Sequence, residues 1–131
     1  MSENVSKVQQ LYAAFGRGEI NTILDNVTDD VTWGAETSVP TVPWYEMRHG
    51  RSGVGDFFSM LANEVEFDRF EPSIWAEAGD QVFVRIDYQS RYKRNGKGVT
   101  SAAVHQLTMR DGKIAKFRAF EDTAAVRDAW V

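Results

Sequence analysis

Residues 81–122 carry the pattern that most limits the folds open to this chain. Three stretches of alternating apolar and polar side chains are separated by two dipeptides that are typical of tight turns. The stretches are residues 81–94, 98–110 and 113–123, and the dipeptides are Asn95-Gly96 and Asp111-Gly112. Such dipeptides connect antiparallel strands because their residues readily take positive backbone φ angles. The sequence therefore predicts a three-stranded antiparallel meander.

Upstream of the meander, apolar residues recur at three- and four-residue steps, which is the spacing of a helix with one apolar face. The predicted helices are one that Gly16 ends, a short one over residues 20–27, one that Ser52 caps and that runs through Leu61, and a last turn or two that Thr123 caps. Residues 31–33 predict a brief strand, residues 34–50 a rim loop, and residues 66–77 an edge or bulged strand around Pro72.

The order of these elements predicts an α+β fold, in which the helices lie on one face of a curved, mostly antiparallel sheet. A length of 131 residues fits a single domain spanning residues 1–131. The net charge of −4 argues against nucleic acid as a partner. No apolar run approaches the ~20 residues that span a bilayer, and the lack of cysteine suits a reducing cytoplasm.

The element order and three segments resemble one known family over nearly the whole chain. The segments are VQQLYAAFGRGEINTILDNVTDDVTW, HGRSGVGDFF and HQLTMRDGKIAKFRAFEDT. Together they resemble the SnoaL-like, ketosteroid-isomerase-like branch of the nuclear transport factor 2-like superfamily. The resemblance implies a cystatin-like α+β barrel, in which the sheet wraps as a cone around the N-terminal helices and encloses an apolar pocket. It also implies a homodimer through the outer sheet face. Members include isomerases, cyclases, epoxide hydrolases and non-catalytic binding domains, so fold alone leaves function open.

His105 is the first candidate catalytic residue. It shares a strand face with Ala103, Leu107 and Met109, which places an imidazole among apolar neighbours. The resemblance strengthens this choice, because polyketide cyclases of the SnoaL type carry a histidine at this position. A core histidine that is satisfied by a backbone group is the alternative interpretation.

Glu121 is the second candidate, since it ends the next strand on a face with small alanine neighbours. A carboxyl group against an apolar wall acquires a raised pKa that suits acid or base chemistry. A water-exposed position at the rim is the alternative, and a hydrogen bond between Glu121 and His105 would decide between the two.

Other positions depart from the family pattern. Relatives place catalytic aspartates where this chain has Ala35 and Ala119, and the isomerase tyrosine of the first helix would fall at Leu11, one residue before Tyr12. The usual base and the tyrosine donor are therefore expected to be absent. These departures favour a binding module as the alternative to an enzyme.

Arg85 and Asp87 reproduce the Arg-x-Asp spacing of limonene-epoxide-hydrolase relatives. Alternation alone would put the apolar set that includes Val84 toward the core and the two charges in water. The resemblance implies the reverse orientation, with an inward Arg85–Asp87 pair and a dimer over the Val84 face. The inward orientation is the prediction, and the outward one is the alternative.

Aromatic residues are expected to line the pocket, because small-molecule sites favour aromatic walls with a few polar groups. The predicted ligand-binding residues are Tyr12, Trp33, Glu36, Trp44, Phe58, Met109 and Phe117. Within this set, Glu36 is an alternative base and Trp44 is a candidate lid. The two histidines lack the close spacing of metal ligands, so no metal site and no cofactor are expected.

These observations predict a pocket for a small, largely apolar carbonyl compound. The predicted chemistry is cofactor-free proton transfer, in which Glu121 or Asp87 takes a proton and His105 or Arg85 stabilises the oxyanion. Two alternatives remain. One is a binding module without turnover, and the other is a dimerisation domain whose cone has collapsed around Met109, Phe117 and the tryptophans.

Overall fold

A computed structural model describes residues 2–37 and 41–131. Four α-helices, one 3₁₀ turn and six strands follow one another along the chain. The helices are α1 (Glu3–Gly16), α2 (Ile20–Leu24), α3 (Gly50–Glu64) and α4 (Thr123–Trp130), and the 3₁₀ turn is Pro43–Tyr45. The strands are β1 (Val27–Ala35), β2 (Arg48–His49), β3 (Val65–Ala78), β4 (Gln81–Tyr92), β5 (Gly98–Arg110) and β6 (Lys113–Glu121).

The six strands form one unclosed sheet in the order β2-β1-β6-β5-β4-β3. Strands β3 to β6 make the antiparallel meander that alternation predicts, and β1 pairs in parallel with β6. At the last hairpin Asp111 and Gly112 have φ angles of 53° and 77°, which is why the Asp-Gly pair is suited to this turn. The predicted α+β fold with a curved, mostly antiparallel sheet is confirmed.

The core lies between the helices and the inner face of the sheet. Helix α1 begins at Ser2, whose hydroxyl accepts a hydrogen bond from the Val5 amide at 3.1 Å. The helix buries one apolar stripe against the sheet, made of Val5, Val8, Leu11 and Ala14. Complete burial of a valine or leucine side chain contributes about 1.5–3 kcal/mol, so this stripe holds α1 against the strands.

A second apolar cluster joins the 3₁₀ turn, the end of β4 and helix α4. Trp44 and Trp130 meet edge to face with ring centroids 5.0 Å apart, and Tyr92 lies against both rings. Asp122 caps α4 by accepting a hydrogen bond from the Ala125 amide at 3.0 Å. This cluster fixes α4 at one end of the inner sheet face.

Several element boundaries differ from those that the sequence predicts. Helix α3 begins at Gly50 instead of Ser52, and α4 is capped by Asp122 instead of Thr123. The brief first strand extends over nine residues because it pairs with β6 as well as β2. The predicted rim loop contains the 3₁₀ turn and β2, and residues 38–40 of that loop lie outside the described residues. The irregular edge strand is confirmed as β3, whose register shifts twice against β4.

Candidate functional site

A cavity of about 130 Å³ lies between the helices and the inner sheet face. Its wall is almost entirely apolar, with side chains from the four helices, the 3₁₀ turn and strands β1 and β3 to β6. The residues of the wall that bear chemically useful polar groups are few: Tyr12, Trp33, Trp44, Tyr45, Tyr88, Ser90, Tyr92, His105 and Glu121. A predominantly apolar concavity with a few polar groups is the usual form of a small-molecule site. The void also rules out the fully collapsed cone.

His105 lies on the inner face of β5 and lines this cavity, as alternation predicts. Its Nδ1 atom lies 2.6 Å from the hydroxyl oxygen of Tyr12. Burial lowers the pKa of His105 to about 3, so the ring is neutral near pH 7. Phe117 contacts the ring edge to face, with centroids 4.8 Å apart.

Tyr12 reaches the cavity from α1, which corrects the expectation that the first helix lacks a tyrosine donor. Its ring lies against Phe70 and Trp75 on β3, with centroids 6.4 and 5.6 Å away. These contacts direct the hydroxyl toward β5. Burial raises the pKa of Tyr12, so the phenol keeps its proton. Leu11 also faces the cavity, so the turn of α1 presents both residues.

Glu121, at the end of β6, lines the cavity and accepts a hydrogen bond from the Tyr45 hydroxyl. Burial raises the pKa of its carboxyl group, and the Tyr45 hydrogen bond offsets part of that increase. The hydrogen bond to His105 that would have decided between a cavity position and a rim position is not formed among the described residues, and it is the burial of Glu121 in the cavity wall that favours the former. His105 faces Ala119 in the register and Glu121 is two residues further, a diagonal relation that separates two residues by about 7–8 Å.

Two buried donors of the cavity wall have no hydrogen-bond partner within the described residues: Trp33 Nε1 and the Tyr88 hydroxyl. Trp33 and Tyr88 are only 4% and 6% exposed. Trp33 stacks on Phe117 with centroids 4.1 Å apart. The Nε atom of Arg48 is also buried without a partner, but Arg48 does not line the cavity.

Arg85 and Asp87 do not face the cavity, so the inward orientation implied by the resemblance is wrong. They lie on the outer face of β4 and form an ion pair, with Arg85 Nη2 3.2 Å from Asp87 Oδ1. Val84 and Ile86 are fully buried on the inner face of the same strand, against the helices. A dimer over the Val84 face is therefore excluded, and simple alternation gives the correct orientation.

The predicted ligand-binding residues divide into two groups. Tyr12, Trp33, Trp44, Phe58 and Phe117 line the cavity, whereas Glu36 and Met109 do not. Met109 is buried in the core at the far end of β5.

Glu36 lies where the sequence did not predict it, and Trp44 lines the cavity without forming a lid. Glu36 is exposed beyond the end of β1 and pairs with Arg118, at 3.5 Å from its Nε atom. Trp44 packs against Trp130 in the second apolar cluster, which makes it a fixed part of the wall instead of an exposed lid.

Tyr88 and Tyr45 are the site residues that sequence reasoning undervalued. Tyr88 shares the strand face of Val84 and Ile86 on β4. Alternation alone predicts that this face is buried, whereas the analogy to the hydrolases predicts the opposite orientation. Tyr45 lies in the rim segment, where aromatic content was the only available signal. Ala35 and Ala119, where relatives place aspartates, both line the cavity.

No helix among residues 2–37 and 41–131 is long and apolar enough to span a membrane. The same residues contain no group of three His, Asp or Glu side chains placed to hold a metal ion.

Solved structures resemble this chain over nearly its full length. An NTF2-like protein of unknown function from Burkholderia pseudomallei has a TM-score of 0.90 at 24% identity, covering 100% of this chain and 99% of that one. TerC, co-crystallised with polyporic acid, has a TM-score of 0.82 at 27% identity, with 98% of each chain covered. A candidate polyketide cyclase of the SnoaL type from a Jannaschia species has a TM-score of 0.80 at 19% identity, covering 98% and 91%.

Among curated proteins, none matches the sequence. The family comparison is decisive, because the model of the SnoaL-like domain matches residues 8–117, which is most of the chain. The fold, the apolar cavity and this match agree, and the chain belongs to the SnoaL-like domain family.

Proposed function

We propose that this protein binds a small, largely apolar carbonyl compound and moves a proton at the carbon next to the carbonyl group, without a cofactor. One observation carries the proposal: a single apolar cavity holds both a neutral imidazole and a carboxyl group of raised pKa. Groups whose environments push their pKa values away from the ordinary range are typical of acid and base catalysts.

His105 is the proposed stabiliser of the oxyanion. The Tyr12 phenol keeps its proton and has His105 Nδ1 as its one hydrogen-bond partner among the described residues. We therefore assign the Tyr12 hydroxyl as donor to Nδ1, which leaves the ring proton on Nε2. In this tautomer Nε2–H donates to the ligand carbonyl. Such a donor contributes roughly 3 kcal/mol to a transition state in which negative charge develops on oxygen.

Glu121 is the proposed base. Its raised pKa makes its carboxylate a stronger base than an exposed glutamate, while the Tyr45 hydrogen bond still favours the ionised form. The diagonal separation of about 7–8 Å between Glu121 and His105 leaves room for the α-carbon and carbonyl of a ligand between their functional groups. The proton leaves carbon for the Glu121 carboxylate, and the electron pair moves onto the oxygen that His105 faces.

Binding without turnover is the second candidate function. Ala35 and Ala119 place methyl groups in the cavity wall where relatives carry catalytic aspartates. A pocket that lacks those carboxylates still binds apolar molecules. Glu121 is the residue that decides between the two functions, because it is the one carboxylate among the lining residues of the described chain.

The test is deuterium exchange at C1 of 2-tetralone in D₂O, followed by NMR. We expect exchange above the buffer rate, and we expect His105→Ala and Glu121→Gln each to lower it at least about 100-fold. Asp87→Asn is the matched control, because Asp87 lies on the outer sheet face and should not affect the rate. Tight binding of 2-tetralone with exchange at the buffer rate would favour the binding module.

We also propose a homodimer through the outer sheet face. Its support is a row of exposed apolar side chains, Ile74, Val104 and Phe120, at neighbouring positions on β3, β5 and β6. Arg85 of β4 completes the row. The cytoplasm is the proposed location, since a chain without cysteine suits a reducing compartment.

A further inference from the structure

The cavity wall holds two hydrogen-bond donors that the proposed chemistry does not use. Trp33 Nε1–H and Tyr88 O–H are buried, border the cavity and lack a partner within the described part of the chain. A buried donor without a partner costs about 1–3 kcal/mol, which is why such groups are uncommon in folded proteins. A ligand oxygen that accepts a hydrogen bond from one of these donors removes this cost. The positions of the two donors therefore indicate where a ligand carries oxygen atoms.

Trp33 belongs to the wall that holds His105. Phe117 lies between them, 4.1 Å from the Trp33 ring and 4.8 Å from the His105 ring by centroids. The indole and the imidazole are thus within about 9 Å of each other. A carbonyl group that approaches His105 therefore lies within reach of the Trp33 end of the cavity.

Tyr88 lies toward a different end of the cavity. Strands β6 and β5 separate β1, which carries Trp33, from β4, which carries Tyr88. In the strand register Trp33 is level with Val82 of β4, and Tyr88 is six residues further along that strand. Tyr88 lies toward the end of the cavity where Glu121 lies, because Tyr88 pairs with Ser101 of β5 and Glu121 pairs with a residue two positions further along the same strand. Ser101 lowers the pKa of Tyr88, but the Tyr88 hydroxyl has no hydrogen-bond partner of normal geometry within the described residues.

The size of the cavity limits the ligand further. An engineered cavity of about 150 Å³ in another protein holds one benzene molecule. The cavity here is about 130 Å³ and partly open, so it encloses about one ring, leaves a second ring to lie at its opening, and is too small for a four-ring steroid. Its aromatic walls, which include Trp33, Phe58 and Phe117, favour a flat molecule.

We propose that Trp33 and Tyr88 determine ligand specificity, each donating a hydrogen bond to a different ligand oxygen. The ligand is accordingly a flat one- or two-ring carbonyl compound with a second oxygen at its opposite end. This inference rests on the proposed function in taking the cavity as the ligand site, but it does not require turnover.

Three probes with one carbon skeleton test the inference: tetralin with no oxygen, 2-tetralone with one, and 6-hydroxy-2-tetralone with a second oxygen at the far end. Their dissociation constants are measured by calorimetry for the wild type and four variants. Trp33→Phe and Tyr88→Phe each remove one donor and keep an aromatic ring. Trp44→Phe and Tyr92→Phe are the matched controls, because both residues line the cavity and neither has an unpartnered buried donor.

We expect the wild type to bind the ketone about tenfold more tightly than tetralin, and the hydroxyketone about tenfold more tightly again. Trp33→Phe should lower the first preference to the part that His105 supports, and Tyr88→Phe should abolish the second, while both controls keep both preferences in full. Equal binding of the three probes by the wild type, or preferences that stay undiminished in both variants, would overturn the inference.

Two further measurements separate effects on ligand binding from effects on folding. Tyr88→Phe removes an unsatisfied group, so its melting temperature should equal or exceed that of the wild type. If Trp33→Phe does not fold, the indole N–H resonance of Trp33 in the wild type should move downfield with 2-tetralone and not with tetralin. Retained preferences without deuterium exchange would overturn the proposed catalysis alone, and exchange without these preferences would overturn the present inference alone.

Discussion

The Tyr12 hydroxyl oxygen and the Nδ1 atom of His105 lie 2.6 Å apart, although 93 residues separate them in the chain. This contact joins α1 to the inner face of β5 and orients the imidazole. In the assignment that we propose, the protonated Tyr12 hydroxyl donates to Nδ1 and Nε2 carries the hydrogen. The first helix thus supplies more than an apolar stripe, since one of its side chains contacts the imidazole directly.

The lowered pKa of His105 predicts how stability depends on pH. The ordinary value is 6.5 and the folded value is about 3, so the unfolded chain binds the proton more readily over that interval. The contribution of the neutral, buried His105 ring to the free energy of unfolding is complete well above pH 6.5, and it is lost as the pH falls toward 3. Each unit costs about 1.4 kcal/mol well below pH 6.5, and the loss between pH 7.5 and pH 5 is about 2 kcal/mol.

Urea unfolding of the wild type and His105→Phe at pH 7.5 and pH 5 measures this loss. The phenylalanine side chain cannot titrate. On going from pH 7.5 to pH 5, the free energy of unfolding of the wild type should therefore fall by about 2 kcal/mol more than that of His105→Phe. His49→Phe, at the exposed second histidine, is the matched control. An identical pH dependence in the wild type and His105→Phe would show that the ring is not desolvated.

Tyr45→Phe should raise the pKa of the Glu121 carboxyl group. Burial already raises that pKa, and the Tyr45 hydrogen bond lowers it by favouring the ionised form, so loss of the bond leaves burial unopposed. The titration of the Glu121 carboxyl carbon, followed by NMR, should therefore move to higher pH. Tyr92→Phe serves as the control, because Tyr92 lines the same cavity but does not bond Glu121. Movement to lower pH in Tyr45→Phe would contradict the assignment.

Alternation along strands predicts the inner sheet face well, because a strand repeats every two residues and the apolar set must meet the helices. His105 and Glu121 were assigned to the cavity in this way. The same rule assigned Val84 to the core and Arg85 to water, and only the analogy with epoxide hydrolases reversed it. Alternation predicted the buried face of β4 more reliably than the analogy did, because the position of a charged pair in relatives does not determine the register of β4.

Sequence patterns do not predict which side chains form hydrogen bonds with the site residues. Tyr45 meets Glu121 across 76 residues, and this contact depends on the 3₁₀ turn that brings the rim segment over the end of β6. The approach of Tyr12 to His105 depends on the rotation of α1 about its axis. One residue corresponds to about 100° of that rotation, so comparison with the isomerase tyrosine placed the donor incorrectly.

Gly98→Ala should destabilise the fold, although the backbone of Gly98 lies outside the left-handed region. Gly98 is the first residue of β5, and a Cβ atom there would overlap the carbonyl oxygen of Ser90 on β4. Since both atoms belong to the paired backbones, neither moves without distorting the hairpin. We expect the free energy of unfolding to fall by about 1–3 kcal/mol, measured by urea unfolding.

Gly16→Ala is the matched control for this substitution. Gly16 ends α1, and a Cβ atom there meets nothing within 4 Å. Because alanine favours a helix over glycine, the free energy of unfolding should stay the same or rise by up to about 1 kcal/mol. Equal effects at Gly98 and Gly16 would mean that the close approach of Ser90 does not constrain β5.

Phe120→Asp tests the proposed homodimer. Phe120 is 43% exposed on the outer face of β6, next to Val104 on β5 in the register. An aspartate there would place an unpaired charge in the proposed interface, which opposes association strongly. Sedimentation equilibrium should show a dimer for the wild type and a monomer for Phe120→Asp at the same concentration. Val131→Asp, at an exposed apolar position outside the sheet, should remain dimeric. A wild type that is monomeric throughout, or a Phe120→Asp variant that stays dimeric, would exclude this face as the interface.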